Sequence, residues 1–195
     1  MKNRKTDRRT LYTLKLIKDA FLNIVNKDSF SHVNIARICR EAEITRSTFY
    51  IHYSSTTDVL NDVLNDALLL TETNSSPFFM GKDKSFNYLK SNESLVPACQ
   101  RIGDNGKYRK LLMDPDLSEY IIGRIMINER EKVLPLVIEK THLSREEAET
   151  LFRYVIHGSF AVNRAHKFVK DEKWFHDVQM LNEFVEAGYE RLSHN

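Results

Sequence analysis

The stretch from Asn34 to Tyr53 constrains this chain more than any other, because it predicts two very short helices joined by a tight bend. Apolar residues recur at helical spacing from Ile35 to Ala42, and again from Thr45 to Tyr53. Asn34 and Thr45 precede these helices, and both side chains can accept a backbone N–H as N-caps. Helices shorter than about 12–15 residues are marginal in isolation, so the pair must pack on a third helix.

The third helix is predicted over residues 10–27, which precede the pair. Its apolar stripe consists of Leu14, Ile17, Ala20, Phe21, Ile24 and Val25. The second short helix then presents Arg46, Ser47, Tyr50 and His52 on its outer face. Basic, small and hydrogen-bonding residues of this kind suit a groove of DNA. The segment therefore predicts a helix-turn-helix that binds double-stranded DNA, although a generic helical hairpin has the same apolar spacing.

Charge is distributed unevenly along the chain. Residues 1–53 hold eleven Lys/Arg and five Asp/Glu, a net charge of +6, whereas the remaining 142 residues hold 18 and 22, a net charge of −4. Five of the basic residues lie in the first nine: Lys2, Arg4, Lys5, Arg8 and Arg9. A charged terminus is commonly a solvated tail. Because it precedes a helix-turn-helix, we interpret it as an arm that follows the DNA backbone or enters the minor groove.

The run from Phe30 through TRSTFYIHYSSTTDVL resembles the amino-terminal domain of TetR-type transcriptional regulators, over about residues 10–64. The first helix, Phe30, the cap at Asn34, Ile38, Ala42 and the segment Thr45 to Tyr50 follow in the order typical of that family. The resemblance implies an all-α homodimer, and because no signal-like or membrane-spanning apolar run occurs in the sequence, we expect it in the cytoplasm. Its helix-turn-helix domains would bind a palindromic operator. Its larger helical domain would dimerise and bind an effector, and the bound effector would release the protein, acting as a repressor, from DNA.

The same resemblance assigns roles to individual residues. The predicted DNA-binding residues are Asn34, Thr45, Arg46, Ser47, Thr48, Tyr50 and His52. Arg46 would contact a base or a phosphate, and Arg to guanine is the commonest specific contact. Thr45 would cap the helix and Tyr50 would contact phosphate or a thymine methyl group. His52 matches a common phosphate contact, whereas Thr48 would mainly lock the helix into the core.

Three residues depart from the pattern of that family. Glu43 stands where the turn usually has glycine, and a non-glycine residue in the left-handed conformation costs roughly 1–2 kcal/mol. Ile51 replaces a usual aromatic or basic contact residue, and Thr56 replaces a usual lysine. The last two leave a second hypothesis open, namely a TetR-like protein-interaction adaptor or co-regulator with weak operator specificity.

The chain divides into three predicted parts: residues 1–54, the helix-turn-helix domain; residues 55–75, a linking helix; and residues 76–195, the helical effector-binding and dimerisation domain. Ser55 and Asp58 can form a capping box at the start of the linking helix. After a connector at residues 73–91, five helices are expected. The first three are placed at 92–101, 107–113 and 116–140. The fourth begins after a capping box at Ser144, and the fifth covers 173–192. Pro135 should kink or break the third.

The last two helices carry apolar residues on more than one side, including Phe160, Ala161, Phe168 and Phe175. These residues form either a broad core within one chain or a dimer interface, and the resemblance favours the interface. Candidate effector-binding residues are Tyr120, Met126, Phe152, His157 and Trp174, although residues of these types are more often plain core than ligand contacts. This half also loosely resembles a TetR subgroup from low-GC Gram-positive bacteria with some protein partners. The effector could therefore be a small molecule or a protein.

Composition argues against several other classes of protein. Six glycines and four prolines are few for a turn-rich β fold, and two cysteines make neither a disulfide framework nor a metal site. Cys39, at the crossing of the two short helices, is expected to be a buried, unreactive thiol. The sequence has no apolar run of membrane-spanning length. It also has no glycine-rich phosphate loop, HExxH or Gly-x-Ser-x-Gly motif, so we expect no enzyme, cofactor or metal.

Overall fold

The computed structural model describes residues 8–71 and 96–193, and these ranges are all-helical, which confirms the predicted fold class. The first range contains α1 (Arg8–Lys27), α2 (Ile35–Glu41), α3 (Arg46–His52) and α4 (Thr56–Leu69). The second contains α5 (Ala98–Asp104), α6 (Gly106–Met113), α7 (Ser118–Thr141), α8 (Arg145–Ala165) and α9 (Glu172–Ser193). None of the helices in these ranges is long and apolar enough to cross a membrane. The predicted connector at 73–91 lies outside the described residues, as does most of the basic tail.

The helices α1 to α3 form a small unit, called the head below, that is organised around α1. This helix contacts α2 and α4 within its own half of the chain and α6 beyond it. Five of the six residues of the predicted stripe are buried, and Leu14 is half-buried. Ile38 of α2 and Phe49 of α3 are fully buried in the same core. Mutual packing therefore stabilises two seven-residue helices that would be marginal alone.

The predicted helix caps are confirmed. The Asn34 side chain accepts a hydrogen bond from the Arg37 backbone N–H at 2.9 Å, and Thr45 Oγ1 accepts one from the Thr48 N–H at 3.1 Å. Both expected capping boxes form, at Ser55 for α4 and at Ser144 for α8. Each cap satisfies a backbone donor that has no partner within its helix, so the helix starts lie where the sequence indicates.

The helices α5 to α9 form the body, and one predicted helix differs here from the structure. Of the helix expected at 92–101, residues 92–95 lie outside the described residues, residues 96 and 97 are not helical, and α5 begins at Ala98. Pro97 disfavours the helical conformation at the residue before it. Pro135 was expected to kink or break its helix, and it does not break α7, which continues to Thr141. Pro135 and Glu131, whose carbonyl loses its N–H partner, are both exposed, so water can satisfy that carbonyl.

Three of the residues expected at a dimer interface are instead core residues of one chain. Phe160, Phe168 and Phe175 are buried, whereas Ala161 is exposed. Phe168 lies in the connection between α8 and α9, has a left-handed backbone (φ 54°) and packs against Gly103 of α5. A Cβ atom at Gly103 would lie 2.6 Å from the Phe168 Cβ, so this close packing requires glycine.

Polar contacts join the body both to the head and to α4. On one side, the Asp114 carboxylate after α6 accepts a hydrogen bond from the Phe30 backbone N–H at 2.8 Å. On the other, α4 contacts α7: the Tyr120 hydroxyl donates to Asn61 Oδ1 at 2.6 Å, and the Arg124 guanidinium donates to the same oxygen at 2.5 Å. A movement of α7 would therefore be transmitted to α4 through directional hydrogen bonds.

Candidate nucleic-acid interface

The helix α3 presents a polar face outward and an aromatic face inward. Phe49 is fully buried, whereas Arg46 and Ser47 are exposed and the Tyr50 side chain is 56 % exposed. The Tyr50 ring meets the Phe49 ring edge-on, with centroids 5.7 Å apart. The buried ring therefore anchors the helix and also supports the exposed one.

The start of α3 is held by a cluster of hydroxyl groups. Thr45 Oγ1 lies 2.8 Å from Ser47 Oγ and 2.9 Å from Thr48 Oγ1, in addition to its capping bond. These contacts fix the side chains beside Arg46 before any ligand is bound. Ser47 is exposed and Thr48 is half-buried, so of the two Ser47 is the more accessible to a ligand.

The turn between α2 and α3 keeps its left-handed residue despite the missing glycine. Glu43 has φ 54°, its N–H donates to the Arg40 carbonyl, and the Ile44 N–H donates to the Cys39 carbonyl at 2.9 Å. This pair of bonds is the Schellman motif, which ends a helix and redirects the chain sharply. The turn is therefore strained at Glu43 and is not rebuilt. Burial raises the pKa of the adjacent Cys39 thiol, in keeping with an unreactive cysteine.

A network that we did not predict fixes the far end of α3. The Tyr53 hydroxyl donates to Asp62 of α4 at 2.6 Å, and the Lys18 ammonium of α1 lies 3.4 Å from Asp62 and 2.6 Å from Asp66. Burial together with the hydrogen bond to Asp62 raises the pKa of Tyr53, which keeps its hydroxyl protonated and donating. The sequence signal was the spacing of Asp62 and Asp66, one helical turn apart on α4.

An open groove of about 540 Å³ brings together part of the predicted set. Its walls come from the start of α2, from α3 and from the start of α4, and include Asn34, Arg46, Tyr50, Ser55 and Thr56. His52, in the last turn of α3, is half-buried and is not among the lining residues. The groove joins three chain segments on the outer side of the head, a shape that can follow a sugar–phosphate backbone.

One acidic group lies near this groove. The Asp58 carboxylate accepts hydrogen bonds from the Ser54 and Ser55 N–H groups, both at 2.9 Å, as part of the α4 cap. A carboxylate at this helix start opposes a phosphate there, and Thr56 supplies no positive charge to offset it. Attraction for an anion is therefore concentrated at Arg46, on the α3 side of the groove.

The candidate effector-binding residues occupy different environments. Phe152 is buried in the main apolar core and Met126 packs against it. Trp174 is fully buried in a separate cluster, and its indole N–H donates to Asn163 at 2.7 Å. Tyr120 is at the surface and contacts α4, and His157 is half-buried. The structure thus places Met126 and Phe152 in the main apolar core, Trp174 in a separate buried cluster and Tyr120 at the surface.

A second groove, here called the α8–α9 groove, was not predicted. It has a volume of about 350 Å³ and lies between the start of α8 and the end of α9. Its lining is almost wholly apolar and includes Leu151, Tyr154, Val155, Phe184, Val185 and Leu192. The Tyr154 side chain is 60 % exposed and that of Phe184 is 63 % exposed. Large apolar side chains clustered at a surface commonly mark an interaction site.

Comparisons with known proteins add little to this description. No family model matches the chain, and no curated protein matches it. Among solved structures, the chain is similar to the dihydroxyacetone kinase operon activator DhaS, with 18 % sequence identity and a TM-score of 0.38, over 92 % of this chain and 94 % of that one. A similarity of this size defines neither family nor function, so both must be inferred from the residues of this chain.

Proposed function

We propose that the chain is a TetR-type transcriptional regulator that binds DNA through the exposed face of α3. The observation that carries the proposal is the pairing of a fully buried Phe49 with an exposed Arg46, Ser47 and Tyr50 on a seven-residue helix. No carboxylate occurs between Arg46 and His52. A rigid, basic and polar helix of this kind suits the major groove of DNA.

The geometry supports different roles for the residues that line the groove between α2, α3 and the start of α4. Arg46 is the base reader, because guanidinium donors match the two acceptors of guanine. Tyr50 and Asn34, which line the same groove, are placed to contact the backbone phosphates on either side. Ser47 and Thr45 complete the predicted contacts at the start of α3, and His52 contributes at its end.

We also propose that the chain forms a homodimer through α8 and α9. On α8, Tyr154, Gly158, Ala161 and Ala165 recur every three or four residues and are all exposed. On α9, Met180, Phe184 and Ala187 recur in the same way and are exposed too. Small residues between large apolar ones allow helices of two chains to approach closely. A dimer would present two copies of α3 to half-sites about 34–36 Å apart.

An effector in the body would act through α7 and α4. The hydrogen bonds from Tyr120 and Arg124 to Asn61 couple the two helices. A small molecule or a protein that favours one arrangement of α7 would change the spacing of the two heads, through its different affinity for the two states. We propose a cytoplasmic repressor, without enzymatic activity, that is released from its operator in this way.

A protein-interaction adaptor is the second candidate function. The exposed apolar Ile51 on α3 and the acidic Asp58 near Thr56 favour it, because both weaken the expected contacts with phosphate. The two candidates differ in whether the chain recognises a DNA sequence.

Selection of duplexes from a random library by the full-length chain tests the proposal. We expect enrichment of a palindromic site whose half-sites lie about one helical turn, or a multiple of it, apart. A library that remains random after repeated rounds, with the chain still folded by circular dichroism, would contradict the regulator and favour the adaptor.

A further inference from the structure

We propose that Ile51 reads the C5-methyl group of a thymine in each half-site, an inference that rests on the proposed DNA-binding function. The Ile51 side chain is 76 % exposed, the largest exposed fraction among the exposed large hydrophobic side chains of the described residues. It lies in the last turn of a helix whose other exposed residues are polar, so its exposure is not part of an apolar dimer surface.

The position of Ile51 places it on the same outward face as the predicted base contacts. It follows Ser47 by four residues, so the two side chains are neighbours along one side of α3. Arg46 and Tyr50 lie along the other side of that face, again four residues apart. When α3 lies in a major groove, Ile51 therefore meets base edges further along the groove than those that Arg46 meets.

The chemistry of isoleucine then restricts which base it can accept. The C5-methyl group of thymine is the apolar group that base edges present in the major groove, whereas cytosine and guanine present donors and acceptors. An aliphatic side chain pressed against those polar atoms would remove water from them without replacing its hydrogen bonds. Isoleucine is also stiff in a helix because it is branched at Cβ, so it loses little side-chain freedom on contact.

Replacement of single thymines by uracil in the selected site tests this inference, because uracil lacks the methyl group and keeps its base pairing. With the native chain, uracil at one position of a half-site should weaken binding about fourfold, the effect of one buried methyl group. With Ile51→Ala, the same replacement should have no effect, whereas Ile51→Val should retain part of it. Ile127→Ala is the matched control, since Ile127 on α7 is 74 % exposed and lies outside α3.

The outcomes separate this inference from the function on which it rests. A uracil effect that is equal in the native chain and Ile51→Ala at every thymine would overturn the inference and leave sequence-specific DNA binding intact. Failure of the native chain to prefer any duplex over random DNA would overturn both. Loss of the uracil effect in Ile127→Ala would also contradict the proposed role of Ile51, because it would show that the effect does not depend on α3.

Discussion

The head and the body present opposite kinds of surface on their outward helices. In α3, the apolar residues face inward and the polar ones outward, and Phe49 and Arg46 represent the two sides. In α8 and α9, apolar residues lie on both sides, and Phe160 is buried whereas Phe184 is exposed. Periodicity therefore indicated which face of α3 is accessible, but in α8 and α9 it indicated only which residues share a face. Packing against α7 decides which of those faces remains exposed.

The largest expected effect tests the apolar surface of the body. Phe184→Glu places a charge in the α8–α9 groove, so it should weaken dimerisation at least about thirtyfold, as expected for loss of a central interface residue. Analytical ultracentrifugation should show the native chain at twice the mass of one chain and the variant at the mass of one.

Ile127→Glu is the control, because it adds the same charge at an exposed isoleucine of α7. The proposed dimer interface on α8 and α9 is contradicted if both variants remain dimeric, or if the native chain is a monomer at every concentration. Loss of helical content in Phe184→Glu would likewise show that this residue supports the fold of one chain.

A smaller effect is expected in the head, at the strained turn. Glu43→Gly should raise the free energy of unfolding by about 1 kcal/mol, because glycine adopts the left-handed conformation without strain but loses more entropy on folding. Chemical denaturation measures this change. Glu43→Ala is the matched control, since alanine retains the left-handed penalty. An equal gain in both variants would mean that the side chain of Glu43, and not its backbone, is unfavourable.

The parts of the head that were predicted depend on neighbours in sequence. Asn34 caps α2 three residues ahead of its partner, and the stripe from Ile17 to Val25 needs only helical geometry. The ion pairs of Lys18 with Asp62 and Asp66 join residues more than forty positions apart. No local pattern indicates that α1 and α4 lie side by side.

The same limit explains the errors in the body. Phe168 was one of several apolar residues that could belong to a core or to a dimer interface, and it is buried against Gly103, 65 positions earlier in the chain. Pro135 was expected to kink or break α7; the helix is not broken, and its tolerance of proline depends on which side of the helix faces water. The contacts of Asn34, Arg46 and Tyr50 with DNA remain predictions.

The ratio of affinities for the selected duplex and for random DNA tests the central claim most directly. We predict that Arg46→Ala lowers this ratio by a factor of about 5 to 150, equivalent to about 1–3 kcal/mol, because a base-reading contact is lost. Arg40→Ala removes the same charge from an exposed residue of α2 and should weaken both duplexes by the same factor, leaving the ratio unchanged. An unchanged ratio in Arg46→Ala, measured by fluorescence anisotropy at several salt concentrations, would contradict recognition by the exposed face of α3.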